Sequence, residues 1–131
     1  MRNPLKILIT DRNRHVRDLL RREFAAAGYL VQAAKDGQEV LRLIEAAWEP
    51  DLIILDPEVP YLVELAVLER LRERYPYLPV VIHSFPPESA HLAGGQATVF
   101  VEKKGDTERL KAVVAEAINS LTPAPPPEGR R

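Results

Sequence analysis

An open α/β fold with a five-stranded parallel sheet is predicted by three features of this chain. Short apolar runs alternate with helix-period segments five times, most of these runs are continuously apolar rather than alternating, and four of them end at a polar residue. Continuous apolar strands separated by helices are the pattern of a parallel sheet covered on both faces. Right-handed crossovers leave few strand orders, and the spacing suits the flavodoxin-like order 2-1-3-4-5.

The elements follow in sequence. Leu5 to Thr10 reads as the first strand. Val16, Leu19, Leu20, Phe24 and Ala27 then recur at spacings of three and four, an amphipathic helix with Gly28 at its stop. Tyr29 to Ala34 is the second strand, and Asp36-Gly37 is turn chemistry before a helix bearing Val40, Leu41, Ile44, Ala47 and Trp48. Pro50 ends that helix, and Asp51 to Leu55 forms the third strand. A helix with Leu65, Leu68 and Leu71 stops at Tyr75-Pro76, and Pro79 introduces the fourth strand, Val80 to His83. The stretch from Phe85 to Gln96, opened by Pro86-Pro87 and closed by Gly94-Gly95, leaves room for a fourth helix of barely two turns. Val99 to Glu102 is the fifth strand. Leu110, Val113, Val114, Ala117, Ile118 and Leu121 share one face of a final helix. Residues 1–121 are expected to form one domain, and the proline-rich residues 122–131 a disordered tail.

Bulk composition narrows the function. The chain has 131 residues, enough for one core, with 46% hydrophobic and 28% charged residues, as expected of a soluble globular protein. Lys+Arg 18 against Asp+Glu 19 leaves no clustered positive face, so no direct nucleic-acid contact is expected. There is no cysteine, hence no disulfide framework or thiolate metal site. No segment has the length and apolarity of a membrane span, and no secretory signal is visible; a cytoplasmic protein is expected.

The strand ends carry the chemistry. Parallel strands bring Asp11, Asp56, Ser84 and Lys103 to one edge, and the strand order puts Asp11 and Asp56 at the switch point between strands 1 and 3. Two carboxylates, a hydroxyl and an ammonium there suggest phosphoryl chemistry on a carboxylate. Taken alone, Asp56 reads equally as a turn or capping residue. His15, His83 and His91 have no ligand spacing; His83 is expected inside the fourth strand with a satisfied partner, and His15 on an exposed helix turn. Trp48 and Phe24 fall at core periodicity.

With these residues in place, residues 5–121 resemble the receiver domain of bacterial two-component response regulators. The resemblance implies Asp56 as phosphoacceptor, Asp11 as the first metal-binding acid, Ser84 and Lys103 as phosphoryl-binding groups, and Phe100 as a switch aromatic, though Phe100 also reads as simple core. It implies Mg²⁺ held by Asp11, Asp56 and the Glu58 backbone carbonyl. The motif Leu55-Asp56-Pro57-Glu58-Val59-Pro60 keeps the family's proline four residues beyond the acceptor. Implied partners are a histidine kinase or phosphotransfer protein, and a downstream protein on the face of the fourth helix, fifth strand and fifth helix. With no effector domain expected after residue 121, that face is the expected output, and it is also a candidate homodimer surface.

Departures from the family pattern concentrate at the same site. Arg12 stands where the family has its second acid. A guanidinium held about 6 Å from Mg²⁺ at an effective dielectric near 20 is repelled by roughly 5 kcal/mol, less if it swings into water. The expectation is weak or absent Mg²⁺, with Arg12 pairing Asp56 or Glu58 instead. Glu58 as a substitute metal ligand is the weaker alternative. Pro57 has no N–H where relatives use backbone amides on the phosphoryl group. Phe85 replaces a small residue, and Lys104 stands where relatives have a proline in a cis peptide. Nineteen positions separate Ser84 from Lys103, fewer than in typical members, which shortens the fourth helix by about one turn. The reading is an atypical receiver with phosphorylation weak or lost. Its alternatives are a phosphorylation-independent pseudo-receiver and a flavin- or nucleotide-binding domain of the same topology, the latter opposed by the lack of a Gly-rich loop after the first strand.

Overall fold

The structure, a computed structural model, describes residues 4–85 and 98–121. Five parallel strands, β1 (Lys6–Thr10), β2 (Leu30–Ala34), β3 (Leu52–Leu55), β4 (Val80–Ser84) and β5 (Thr98–Glu102), form one sheet in the order β2-β1-β3-β4-β5. Four helices are described: α1 (Arg14–Ala26), α2 (Gly37–Glu45), α3 (Val67–Arg74) and α4 (Glu108–Leu121). The expected short helix between β4 and β5, with His91 and Gly94-Gly95, falls outside the described residues, as does the expected tail at 122–131.

Strand alternation divides the core into two layers. Ile7, Ile9, Leu52, Ile54 and Val81 point to one face and pack with Leu20 and Phe24 of α1 and Leu110, Val114 and Ile118 of α4. Leu8, Ile53, Leu55, Val80 and Ile82 point to the other and meet Val40 and Ile44 of α2 and Val67, Leu68 and Leu71 of α3. Each such side chain contributes about 1.5–3 kcal/mol by leaving water. The central strands β1, β3 and β4 are buried almost throughout, whereas edge strand β2, paired on one side only, alternates exposed and covered positions.

Helix ends correct the sequence reading in two places. α2 stops at Glu45, so Ala47 and Trp48 lie beyond it: Ala47 adopts φ 63°, its amide bonds Ile44 O, and the Trp48 amide bonds Leu43 O. This is the paired 6→1 and 5→2 closure usually made by glycine. α1 closes the same way with Gly28 at φ 101°, and the Tyr29 ring then packs on Phe24 at 5.9 Å. The second correction is Leu65, which lies in a separate turn before α3, because Ala66 at φ 50° breaks the helical path.

One glycine positions the loop after β3. The Gly37 amide donates to Pro60 O at 2.8 Å, and a Cβ on Gly37 would lie 2.5 Å from Tyr61 O. The loop from Asp56 to Tyr61 therefore rests against the first turn of α2.

Candidate functional site

The site forms where β1, β3 and β5 end. β1 and β3 are in register through Thr10 and Leu55, so Asp11 and Asp56 emerge side by side. The Asp56 amide bonds Thr10 O at 3.0 Å, and Thr10 Oγ1 donates to Ile54 O at 3.3 Å. Thr10 thus clamps the end of β3, a role its place in an apolar run did not signal. The 11–13 loop is set by the start of α1: Asn13 caps the helix by accepting from the His15 and Val16 amides, while its own amide donates to Asp11 Oδ1 at 2.9 Å. Arg17, one turn into α1, donates from Nη1 to the Asp11 carbonyl at 2.7 Å. Sequence reasoning missed both, although Asn at a helix start is a legible cap signal.

Lys103 joins the two acids. It follows β5, and its amide donates to Ser84 O at 2.9 Å, tying the ends of β4 and β5 together. Its Nζ lies 3.1 Å from Asp11 Oδ2, as a charge contact without hydrogen-bond alignment, and donates to Asp56 Oδ2 at 3.4 Å. Asp11 and Asp56 are buried, and Lys103 nearly so. Burial raises the Asp11 carboxyl above its ordinary pKa, with the Asn13 amide and Lys103 pulling the other way.

Arg12 supplies a second cation. Its backbone amide donates to Asp56 Oδ2 at 3.2 Å and its Nε lies 3.6 Å from the same oxygen. Its Nη1 donates to Glu58 Oε1 at 2.8 Å. The remaining oxygen of Asp56, Oδ1, accepts from the Glu58 amide at 3.0 Å; Pro57 between them has no amide to offer. Three formal negative charges (Asp11, Asp56, Glu58) thus meet two positive ones (Lys103, Arg12). Among the described residues, no group of three or more His, Asp or Glu side chains is placed to hold a metal ion.

The other expected site residues surround this cluster. Ser84 is buried at the end of β4, between β3 and β5. Phe85 is 56% exposed, with Lys103 Nζ 5.7 Å from its ring centroid. Phe100 is partly buried on β5 against the core layer of α2 and α3. His83 is inside β4 as expected, but its Nδ1 is buried without a hydrogen-bond partner. The expected satisfied partner is corrected for Nδ1 among the described residues: the backbone groups of the neighbouring strands are used in the ladder, and the Asp56 carboxylate acts on the ring by its charge without bonding that nitrogen. Burial, and then the Lys103 charge, push the His83 pKa down to about 4.

Comparison with known proteins identifies the family. The family model for the response regulator receiver domain matches residues 7–115. The chain belongs to the response regulator receiver family. A response regulator named MprA from Mycolicibacterium vanbaalenii is 42% identical over 123 residues, covering 92% of this chain. This chain spans about half, 53%, of that relative's length. Among solved structures, the response regulator TrrA from Thermotoga maritima, crystallised with Mg²⁺ and beryllofluoride, has a TM-score of 0.74 at 25% identity over 86% of this chain and 98% of its own. NtrX from Brucella abortus, in complex with ADP, has a TM-score of 0.76 at 28% identity, over 90% of this chain and 28% of its own. The flavodoxin-like fold and the receiver module of two-component systems are therefore established for this chain. No helix among the described residues is long and apolar enough to cross a membrane.

Proposed function

We propose that this receiver keeps Asp56 as its phosphoacceptor position but accepts phosphoryl groups poorly, because Arg12 takes the place of a metal-binding acid. The observation that carries the reading is the Arg12 guanidinium, bridging Asp56 Oδ2 at 3.6 Å and Glu58 Oε1 at 2.8 Å. The donor set does not fit Mg²⁺ well. Mg²⁺ accepts one or two carboxylates and a carbonyl plus waters, so Asp11, Asp56 and the Glu58 carbonyl suffice in number. Charge is the obstacle: both acids already face Lys103, and Arg12 occupies the approach. The Glu58 carboxylate, the alternative ligand, is engaged by Arg12.

Magnitudes separate the contributions. The Arg12 side chain is 47% exposed, so its pair with Asp56 contributes at most about 1 kcal/mol and is easily opened. The ion pair is therefore no lock. The larger deficit is the positive charge that family members recruit to the transferring oxygens, here left to Lys103 and Arg12 alone. In the transfer, an Asp56 carboxylate oxygen bonds to phosphorus as the P–N bond of a partner's phosphohistidine breaks. Its electron pair returns to the imidazole, and Lys103 and Ser84 face the phosphoryl oxygens. Pro57 removes one backbone donor from that shell, and Phe85 crowds its rim.

The partners this reading implies are a histidine kinase or phosphotransfer protein, and a downstream protein on the β5 and α4 face, in the cytoplasm. Phe100 on β5 is the residue that would register the state of Ser84. The test is phosphodonor labelling with radiolabelled acetyl phosphate. Substoichiometric label that disappears in Asp56→Asn is the expected result; stoichiometric labelling refutes weak acceptance. Complete absence of label favours the phosphorylation-independent module, which the nearly balanced charge of the closed Arg12–Asp56–Glu58 cluster also suits.

A further inference from the structure

Glu58 competes with Asp56 for Arg12. The guanidinium donates from Nη1 to Glu58 Oε1 at 2.8 Å, whereas its Nε lies 3.6 Å from Asp56 Oδ2, a charge contact beyond hydrogen-bond length. The Glu58 amide donates to Asp56 Oδ1 at 3.0 Å, so the rival carboxylate is anchored beside Asp56 by its own backbone. The Arg12 and Glu58 side chains are 47% and 42% exposed. Their pair therefore opens at little cost, but while closed it draws the cation toward solvent and away from Asp56.

The two cations differ in how they can respond to an incoming phosphoryl group. Lys103 is nearly buried and held between Asp11 at 3.1 Å and Asp56 at 3.4 Å. Arg12, on a half-exposed side chain, can swing. Asp11, Asp56 and Glu58 against Lys103 and Arg12 leave a formal charge of 2 − 3 = −1. A phosphoryl group on Asp56 takes this to about −2. Charge on the transferring oxygens is what nearby cations stabilise during transfer. A guanidinium bonded to Glu58 contributes little there, and one released from Glu58 contributes more.

We infer that Glu58 is autoinhibitory: by holding Arg12 it slows phosphoryl transfer to Asp56, and the Arg12–Glu58 bond opens as transfer proceeds. The Glu58 carboxylate acts through Arg12, as a positioning group rather than a catalytic one. This inference rests on the reading of Asp56 as phosphoacceptor and adds the residue that restrains it.

The test is the initial rate at which radiolabelled acetyl phosphate labels the full chain in EDTA. In that step an Asp56 carboxylate oxygen bonds to phosphorus, the P–O bond to the acetyl group breaks, and acetate leaves with the electron pair. Glu58→Gln is expected to be labelled roughly twofold to fivefold faster than wild type, the range an exposed ion pair can contribute. The gain is expected to be smaller in an Arg12→Gln background. It is also expected to shrink in about 1 M salt, where the screening length is about 3 Å. A purely structural role for Glu58 would give neither dependence. The inference is overturned if Glu58→Gln is labelled no faster than wild type, if the gain is as large without Arg12, or if salt leaves it unchanged. Asp56-dependent label in wild type with no gain in Glu58→Gln overturns this inference alone. Absence of Asp56-dependent label from wild type and every variant overturns the weak-acceptance reading with it.

Discussion

Replacing His83 with leucine is expected to remove a block of acid sensitivity that the wild-type fold carries. In the folded chain the imidazole has a pKa of about 4 against an ordinary 6.5, because burial and then the Lys103 charge disfavour its cation, Asp56 opposing them only in part. Above pH 6.5 neither the folded nor the unfolded chain holds a proton there, and no stability depends on it. Between pH 6.5 and 4 the unfolded chain binds the proton and the folded chain does not, so stability falls as pH falls. The span of about 2.5 units corresponds to about 3 kcal/mol. Asp11 acts in the opposite sense, since its raised pKa lets the folded state take a proton before the unfolded state does. Comparing wild type with His83→Leu cancels that contribution. Urea unfolding at half-unit pH steps from 7.5 to about 4 is the assay. The variant is expected to be about 1 kcal/mol more stable at pH 7, having lost an unpartnered buried nitrogen, and the gap should widen toward pH 4. Parallel loss of stability in the two proteins would refute the account of His83.

Two further substitutions test how the loops are held. Gly37→Ala is expected to destabilise by about 1–3 kcal/mol in urea unfolding, because the new Cβ would meet Tyr61 O at 2.5 Å and displace the loop that carries Asp56 and Glu58. Ala47→Gly is expected to stabilise by about 0.5–1 kcal/mol: relief of the left-handed backbone, about 1–2 kcal/mol, outweighs the added freedom of the unfolded chain. A destabilised Ala47→Gly chain would mean that the α2 closure is held by something other than backbone conformation.

How far the sequence reached follows from where each signal is local. The strands were legible because an uninterrupted run such as Leu52 to Leu55 has few other uses, and the strand order then brought Asp11, Asp56 and Lys103 together without further information. Arg12 meeting Asp56 and Glu58 was legible for the same reason, as the loops after β1 and β3 are neighbours. Helix ends were less so: Ala47 and Ala66 take left-handed conformations that the sequence usually announces with glycine, so Trp48 and Leu65 read as helical when they are not. Contacts between residues distant in sequence left no local trace. Glu23, accepting from Lys111 at 2.9 Å and Thr107 at 3.3 Å, joins α1 to the start of α4 across more than eighty residues. The missing partner of His83 was invisible for a similar reason, since whether a strand histidine is satisfied depends on what the neighbouring elements present.

The central claim is that Arg12 and Lys103 stand in for a metal at Asp56, and Mg²⁺ affinity in wild type and Arg12→Asp tests it most directly. Even with the full screening of bulk water, a unit charge about 6 Å from a divalent ion counts for about 1.4 kcal/mol, and reversing its sign counts twice. Calorimetric or NMR titration is expected to show weak or no Mg²⁺ binding by wild type, and at least tenfold tighter binding by Arg12→Asp. Equal affinity in the two proteins, or tight binding by wild type, would contradict the claim.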